Sequence, residues 1–122
     1  AFWKETGCQL SEMSPVAHDM SVSRISHLPH AVAAALVHAA LRKDPAVAAF
    51  AGSGYKDTTR IALGPEALWK EIFLDNREEL LSAISDMQIS LEMLKDCLSR
   101  GDGEAIEGYL RDARNRRMQE KE

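Results

Sequence analysis

Histidines are concentrated in one short stretch near the start of the chain. His18, His27 and His30 fall within thirteen positions, and the last two flank Leu28 and Pro29. On a continuous helix, residues three apart lie on one face, so His27 and His30 could act together. A zinc site would need matched Cys or His partners, which this stretch does not offer. We therefore expect no metal here, and the alternative that the imidazoles are buried and hydrogen-bonded stays open.

A second candidate segment combines glycines with an arginine. Residues 52–60 read Gly-Ser-Gly-Tyr-Lys-Asp-Thr-Thr-Arg. Glycines let the backbone approach a ligand closely, and the planar guanidinium of Arg60 can hold a carboxylate through two parallel hydrogen bonds. Asp57, three residues earlier, could orient that guanidinium. A surface loop capped by Asp57 or Thr58 is the alternative interpretation.

The third segment contains Trp69. Trp69, Ile72 and Phe73 recur at helical spacing within residues 65–76. Apolar residues in such a stripe usually pack in the protein core. Spacing alone therefore favours a structural role for Trp69.

Length and composition limit the classes of protein to be considered. The 122 residues suffice for one domain, and 45% hydrophobic with 28% charged residues is typical of a folded globular chain. A net charge of −4 does not indicate a nucleic-acid surface. No apolar run is long enough to span a membrane, and no signal sequence is recognisable. We expect a cytoplasmic chain that binds neither nucleic acid nor membrane, with Cys8 and Cys97 as reduced thiols.

The first thirteen residues are expected to belong to another domain. Phe2 to Thr6 is typical of a helix end stopped by Gly7, and Cys8 to Met13 alternates apolar and polar residues as a strand does. A lone strand is not stable without a partner. Because the chain also begins without methionine, this pattern indicates the closing αβ unit of a domain that lies upstream.

Helices are predicted for the segments that hold the candidate residues. Ser14 and Pro15 begin a helix that should run to about Ser26, because Pro29 disfavours helical geometry before it or opens a second helix. The alanine-rich segment from His30 to Lys43 has small side chains nearly all round. This composition predicts a buried helix.

The rest of the chain also predicts helices. Apolar residues recur in steps of four and three from Leu80 to Leu98, which is a heptad seam. Gly101 and Gly103 separate this seam from one last amphipathic helix. The predicted elements are a turn at 44–50, a loop at 51–59, helices at 65–76 and 77–99, and the last helix after 103. The sequence therefore predicts an all-α helical bundle.

Taken in order, these segments resemble the C-terminal domain of the prephenate dehydrogenases, including the arogenate and cyclohexadienyl forms. The residues that carry the resemblance are His18-Asp19, Ser26-His27-Leu28-Pro29-His30, residues 55–62, Trp69 and residues 72–77. It covers roughly residues 14–118. The resemblance implies a helical dimerisation and substrate-binding domain at 14–122, with 1–13 as the residual end of a nucleotide-binding domain.

The resemblance also implies roles for single residues. His30 and Arg60 match family positions that contact the carboxylates of prephenate, and Trp69 matches one that lines or supports that pocket. Asp57 matches a neighbour that orients the arginine. These residues, with the two below, form the expected substrate site.

Two further residues are given supporting places by the same resemblance. Asp19 is expected to approach the cleft from the dimer partner, and His27 to support the site, as His18 does. The family's histidine that polarises the substrate hydroxyl belongs to the nucleotide domain and matches no residue here. Ser53 replaces a glycine that is common in the family. We therefore expect no catalytic, cofactor-binding or metal-binding residue in this chain.

The partners implied by the resemblance belong to the whole enzyme. It would use NAD or NADP to decarboxylate prephenate or arogenate oxidatively in tyrosine biosynthesis, as a homodimer, with tyrosine as a candidate inhibitor. This chain has no Gly-x-Gly-x-x-Gly turn after a strand, so alone it is expected to be inactive and to bind no nucleotide. A freestanding module that dimerises or binds an aromatic acid, and an unrelated helical bundle, are the alternatives.

Overall fold

Helices form every regular element of the structure, a computed structural model that describes residues 14–119. The elements are α1 (Pro15–Val22), a π-helical turn (Ser23–His27), α2 (Leu28–Leu41), a 3₁₀ helix (Pro45–Phe50), α3 (Ser53–Thr59), a second 3₁₀ helix (Arg60–Leu63), α4 (Glu66–Asp75), α5 (Arg77–Arg100) and α6 (Gly103–Gln119). The all-α prediction is confirmed. The αβ unit predicted at 1–13, with Cys8, lies outside the described residues.

The chain divides into two compact units, each of which is described by itself. One comprises residues 19–83, and the other comprises residues 84–119 with 14–18. All six predicted site residues lie in the unit of residues 19–83. The domain boundary predicted at residue 14 remains a prediction.

Pro29 does not interrupt the first helical region, so the boundary predicted near Ser26 is wrong. Leu28 has helical dihedrals of −61° and −46°, and its N–H donates to the Ser23 carbonyl, five residues earlier. Proline has no N–H for the carbonyl one turn before it and crowds that carbonyl. The wider π-type turn changes the spacing of the carbonyls, and α2 starts directly before Pro29, as the alternative interpretation proposed.

The segment predicted as a loop at 51–59 is largely helical. Gly52 is extended, with φ −100° and ψ −172°, and its carbonyl accepts from the Lys56 N–H at 3.1 Å, which starts α3 at Ser53. The Thr59 hydroxyl is buried and donates to the Tyr55 carbonyl at 2.7 Å. α3 packs against α2. The loop prediction failed because neither Gly52 nor Gly54 adopts a backbone conformation that other residues avoid, and packing of Thr59 stabilises the helix.

The buried interior within residues 14–119 is small. Its hydrophobic members are Ala33, Leu80 and Ala83. The prediction that the alanine-rich helix is buried is wrong for this chain by itself, because α2 buries Ala33 but exposes Ala35 and Ala39. Small side chains on α2 therefore leave a face that no described residue covers.

The predicted heptad helix is confirmed as α5, and local geometry explains its end. Gly101 adopts a positive φ of 64°. Its N–H donates to the Leu98 carbonyl, and the Asp102 N–H donates to the Cys97 carbonyl, both at 3.1 Å, which is a Schellman motif. The Asp102 carboxylate then caps α6 by accepting from the Ala105 N–H at 3.0 Å.

Candidate functional site

An aromatic cluster forms where α2 meets α4. The His30 ring stacks on Trp69 with centroids 3.8 Å apart and an interplanar angle of 18°. The His27 ring meets Trp69 edge-on at 6.3 Å and 83°. Phe73 lies one helical turn after Trp69 and meets both Trp69 and His30 in T-shaped arrangements. The indole is therefore held on several sides by other rings.

The π-helical turn positions the two imidazoles. His27 ends this turn and His30 lies in the first turn of α2, and both are only 8% exposed. Burial lowers the pKa of both, and the negative charge of Asp19 partly opposes this effect at His27. Within residues 14–119, the buried His27 Nδ1 has no hydrogen-bond partner. Both rings are therefore stable in the neutral form, which suits stacking and hydrogen bonding rather than charge pairing.

Arg60 lines one cleft of about 510 Å³ together with His30 and Trp69 of the aromatic cluster. The residues around this cleft are Ile25, Ser26, Pro29, His30, Arg60, Ile61, Gly64 and Trp69. Arg60 is exposed at the start of the second 3₁₀ helix. Its side chain forms no ion pair or hydrogen bond with other residues of 14–119. The structure thus brings together His30, Arg60 and Trp69 from the predicted set.

Asp57 lies beside Arg60 in a neighbouring depression of about 640 Å³. Tyr55 and Lys56 line the same depression. No hydrogen bond or ion pair joins the side chains of Asp57 and Arg60 in the described part of the chain. The orienting role of Asp57 stays a prediction. Lys56 adds a second positive charge next to Arg60. Sequence reasoning did not choose Lys56 as a site residue, although its position within residues 55–62 could have indicated it.

Asp19 is exposed on α1 and does not line the cleft. Its backbone carbonyl accepts from Asn76 Nδ2 at 2.9 Å, and its carboxylate acts on His27 electrostatically. This contact ties α1 to the residue that follows α4. An approach of Asp19 to the cleft from a partner subunit stays a prediction.

The site offers a flat aromatic wall beside an exposed cation. Trp69, which spacing assigned to the core, is half-buried and lines the cleft. A guanidinium next to such a wall suits a planar or cyclic acid, because the ring contacts the indole and the carboxylate takes paired hydrogen bonds. No group of three metal-ligating side chains occurs among the described residues. No helix within 14–119 is long and apolar enough to cross a membrane.

Comparison with known proteins gives consistent matches. Residues 14–112 match the family model described as prephenate dehydrogenase, dimerization domain. The prephenate dehydrogenase of Bacillus subtilis is 35% identical over 93% of this chain and 32% of its own length. The cyclohexadienyl dehydrogenase of Zymomonas mobilis is 28% identical over 96% of this chain and 41% of its length. The chain thus spans about a third of the first of these curated relatives and about two fifths of the second.

Two solved structures share the fold. One is the prephenate dehydrogenase of Aquifex aeolicus in complex with hydroxyphenyl propionate and NAD⁺, with a TM-score of 0.81 and 39% identity. The aligned region covers 88% of this chain and 38% of the Aquifex chain. The other is the Synechocystis arogenate dehydrogenase, with a TM-score of 0.81 and 27% identity. The aligned region covers 95% of this chain and 47% of the Synechocystis chain.

Proposed function

The chain belongs to the prephenate dehydrogenase family, and we propose that it joins two subunits and binds the carboxylate end of a prephenate-like substrate. In this proposal the whole protein performs the NAD- or NADP-dependent oxidative decarboxylation of prephenate or arogenate in tyrosine biosynthesis. This chain contributes binding and orientation to that reaction. The relatives' names support the reaction class, and the cleft supports the contribution of this chain.

The cleft shared by Arg60, His30 and Trp69 is the observation that carries substrate binding. Arg60 forms no ion pair with a carboxylate of residues 14–119, so its guanidinium can pair with a ligand anion. The stacked His30 and Trp69 rings supply a rigid wall for a six-membered ring. Hydroxyphenyl propionate, which is bound in the Aquifex complex, combines such a ring with one carboxylate.

Exposed apolar side chains support self-association. α5 exposes Leu91 and Leu98 on its seam, and it also exposes Ile89 and Met93, which are four residues apart and form a second stripe. Apolar surface of this kind on a helix usually marks an interface. We propose that a second copy of the chain covers the seam and forms a homodimer.

The nicotinamide cofactor does not fit the described residues. A dinucleotide cradle needs a strand, a glycine-rich turn and a helix, and residues 14–119 contain helices only. We therefore assign cofactor binding to residues outside 14–119 and derive no step of hydride transfer here.

Binding of hydroxyphenyl propionate to the chain, measured by calorimetry, tests the substrate site. Arg60→Ala should weaken binding by about 10- to 150-fold, because a hydrogen bond to a charged group contributes about 1.5–3 kcal/mol. Arg114→Ala is the matched control, since Arg114 is also exposed but lies on α6 in the other unit. Equal affinities of the two variants would contradict the role of Arg60.

A further inference from the structure

Gly64 joins the second 3₁₀ helix to α4 with ordinary backbone geometry. Its φ of −66° and ψ of 164° are accessible to any residue. Its N–H donates to the Ile61 carbonyl at 3.1 Å, which a side chain would not prevent. Backbone conformation therefore gives no reason for glycine at this position.

The space around Gly64 does give a reason. A Cβ atom placed there would lie 3.1 Å from Trp69 Nε1, 3.2 Å from His30 Cε1 and 3.3 Å from Trp69 Cδ1. Carbon atoms normally settle about 3.5–4.0 Å from their neighbours. Every other glycine in the described range has nothing within 4 Å of such an atom. Among the described glycines, Gly64 is therefore the one at which an added methyl group would crowd neighbouring side chains.

The two rings beside Gly64 have little freedom to move away. His30 is buried and stacks on Trp69, while the edges of His27 and Phe73 contact the indole. Small shifts of a packed cluster cost free energy, because closely packed interiors do not relax freely. An added methyl group would therefore displace the stack or occupy the space next to it.

That space lies beside an unused hydrogen-bond donor. Trp69 Nε1 donates to no acceptor within residues 14–119, and Gly64 and Trp69 line the same cleft as Arg60. An indole N–H that is half-buried usually finds a partner. Because Trp69 Nε1 is not among the fully buried atoms without a partner, water can accept from it, and a ligand in the cleft can take the place of that water.

We infer that Gly64 is a specificity-determining residue, whose missing side chain lets an oxygen of a cyclic acid reach the Trp69 N–H. The ligand class rests on the proposed function, whereas the steric effect on the His30–Trp69 stack does not. Gly64 acts here through Trp69, so it is a positioning residue. It sets how closely a bound ring or its polar substituent approaches the indole edge.

Gly64→Ala, compared with Gly108→Ala, tests the inference. Gly108 lies on α6 with nothing within 4 Å of an added Cβ, so its variant controls for the glycine replacement. The first readout needs no ligand and follows the indole N–H signal of Trp69 in a proton–nitrogen NMR spectrum, assigned by its loss in Trp69→Phe. We expect a clear shift of this signal in Gly64→Ala and none in Gly108→Ala.

The second readout is the affinity for hydroxyphenyl propionate. We expect Gly64→Ala to stay folded and to weaken binding at least tenfold, and Gly108→Ala to leave the affinity unchanged. Trp69→Phe keeps an aromatic ring but lacks the N–H. In this background, Gly64→Ala should reduce the affinity for hydroxyphenyl propionate by a much smaller factor. If the losses of affinity caused by Gly64→Ala and Trp69→Phe were additive in the double variant, the inference would be overturned. An affinity of Gly64→Ala within twofold of the unsubstituted chain would overturn it as well.

The two readouts separate failure of the inference from failure of the proposed function. If the unsubstituted chain does not bind hydroxyphenyl propionate, the ligand-binding part of both fails, and the indole signal still decides the steric effect of Gly64. If Gly64→Ala does not fold, the loss of affinity in Trp69→Phe decides whether the N–H contacts the ligand. An unchanged affinity in that variant would overturn the inference.

Discussion

Replacing Leu91 by alanine should weaken self-association of the chain more than replacing its neighbour Glu92. Leu91 lies on the heptad seam of α5 and is 56% exposed in the single chain. Glu92 is exposed as well, but its position falls outside the seam. If a second copy covers the seam, alanine at position 91 removes apolar contact across the interface, while alanine at position 92 removes a solvated side chain.

The exposed fraction sets the size of the effect. Complete burial of a leucine side chain contributes about 1.5–3 kcal/mol. Since 56% of Leu91 remains to be buried, its transfer contributes about 0.8–1.7 kcal/mol per copy. A two-fold dimer contains the substitution twice, so the total is about 1.7–3.4 kcal/mol, or about a 20- to 300-fold rise in the dimer dissociation constant.

Sedimentation velocity over a concentration series measures this constant for the unsubstituted chain, Leu91→Ala and Glu92→Ala. Circular dichroism of each variant checks that α5 stays helical, and alanine favours the helix in both cases. A stable monomer at micromolar concentration for the unsubstituted chain would refute the proposed homodimer. Equal dissociation constants for the two variants would refute the seam as its interface.

Two further predictions concern stability. Burial lowers the pKa of His27 and His30 from the usual 6.5, so the unfolded chain takes up these protons first as the pH falls. The free energy of unfolding measured in urea should therefore be at its full value above about pH 6.5 and should decrease below it. His27→Asn should show a smaller decrease. A pH-independent midpoint between about pH 7.5 and 5.5 would contradict this assignment. Gly101→Ala should lower the free energy of unfolding by about 1–2 kcal/mol, because the φ of Gly101 is 64°. Gly108→Ala, in the interior of α6, should raise it by about 0.5–1 kcal/mol. Thermal unfolding that ranks the two variants in the opposite order would contradict the argument.

Local signals in the sequence were sufficient where a structure depends on neighbouring residues. The seam predicted α5 within one residue of its observed end, and Gly101 marked its termination. Asp44 and Pro45 predicted a short helical turn, and the Asp44 carboxylate indeed caps it by accepting from the Ala46 N–H at 3.0 Å. These features depend on helix periodicity and capping, which act within one or two turns.

The candidate site was only partly predictable. His30, Arg60 and Trp69 were chosen from the sequence and share one cleft in the structure. Gly64 was not among the residues chosen from the sequence, because nothing in the residues next to it indicates that two rings from other elements approach it. Phe73 was likewise interpreted as core packing rather than as a wall of the aromatic cluster.

The order of residues was enough to define the helical class of this protein, most helix positions and the residue types that can bind an acid. Packing in three dimensions was needed to establish that the helix passes Pro29 through a π-helical turn, that residues 53–59 are helical, and that His30 stacks on Trp69. It also established which faces of α2 and α5 stay uncovered. The difference is one of range, because periodicity and caps are encoded by residues within a few positions, whereas ring stacking, burial and steric limits arise between elements far apart along the chain.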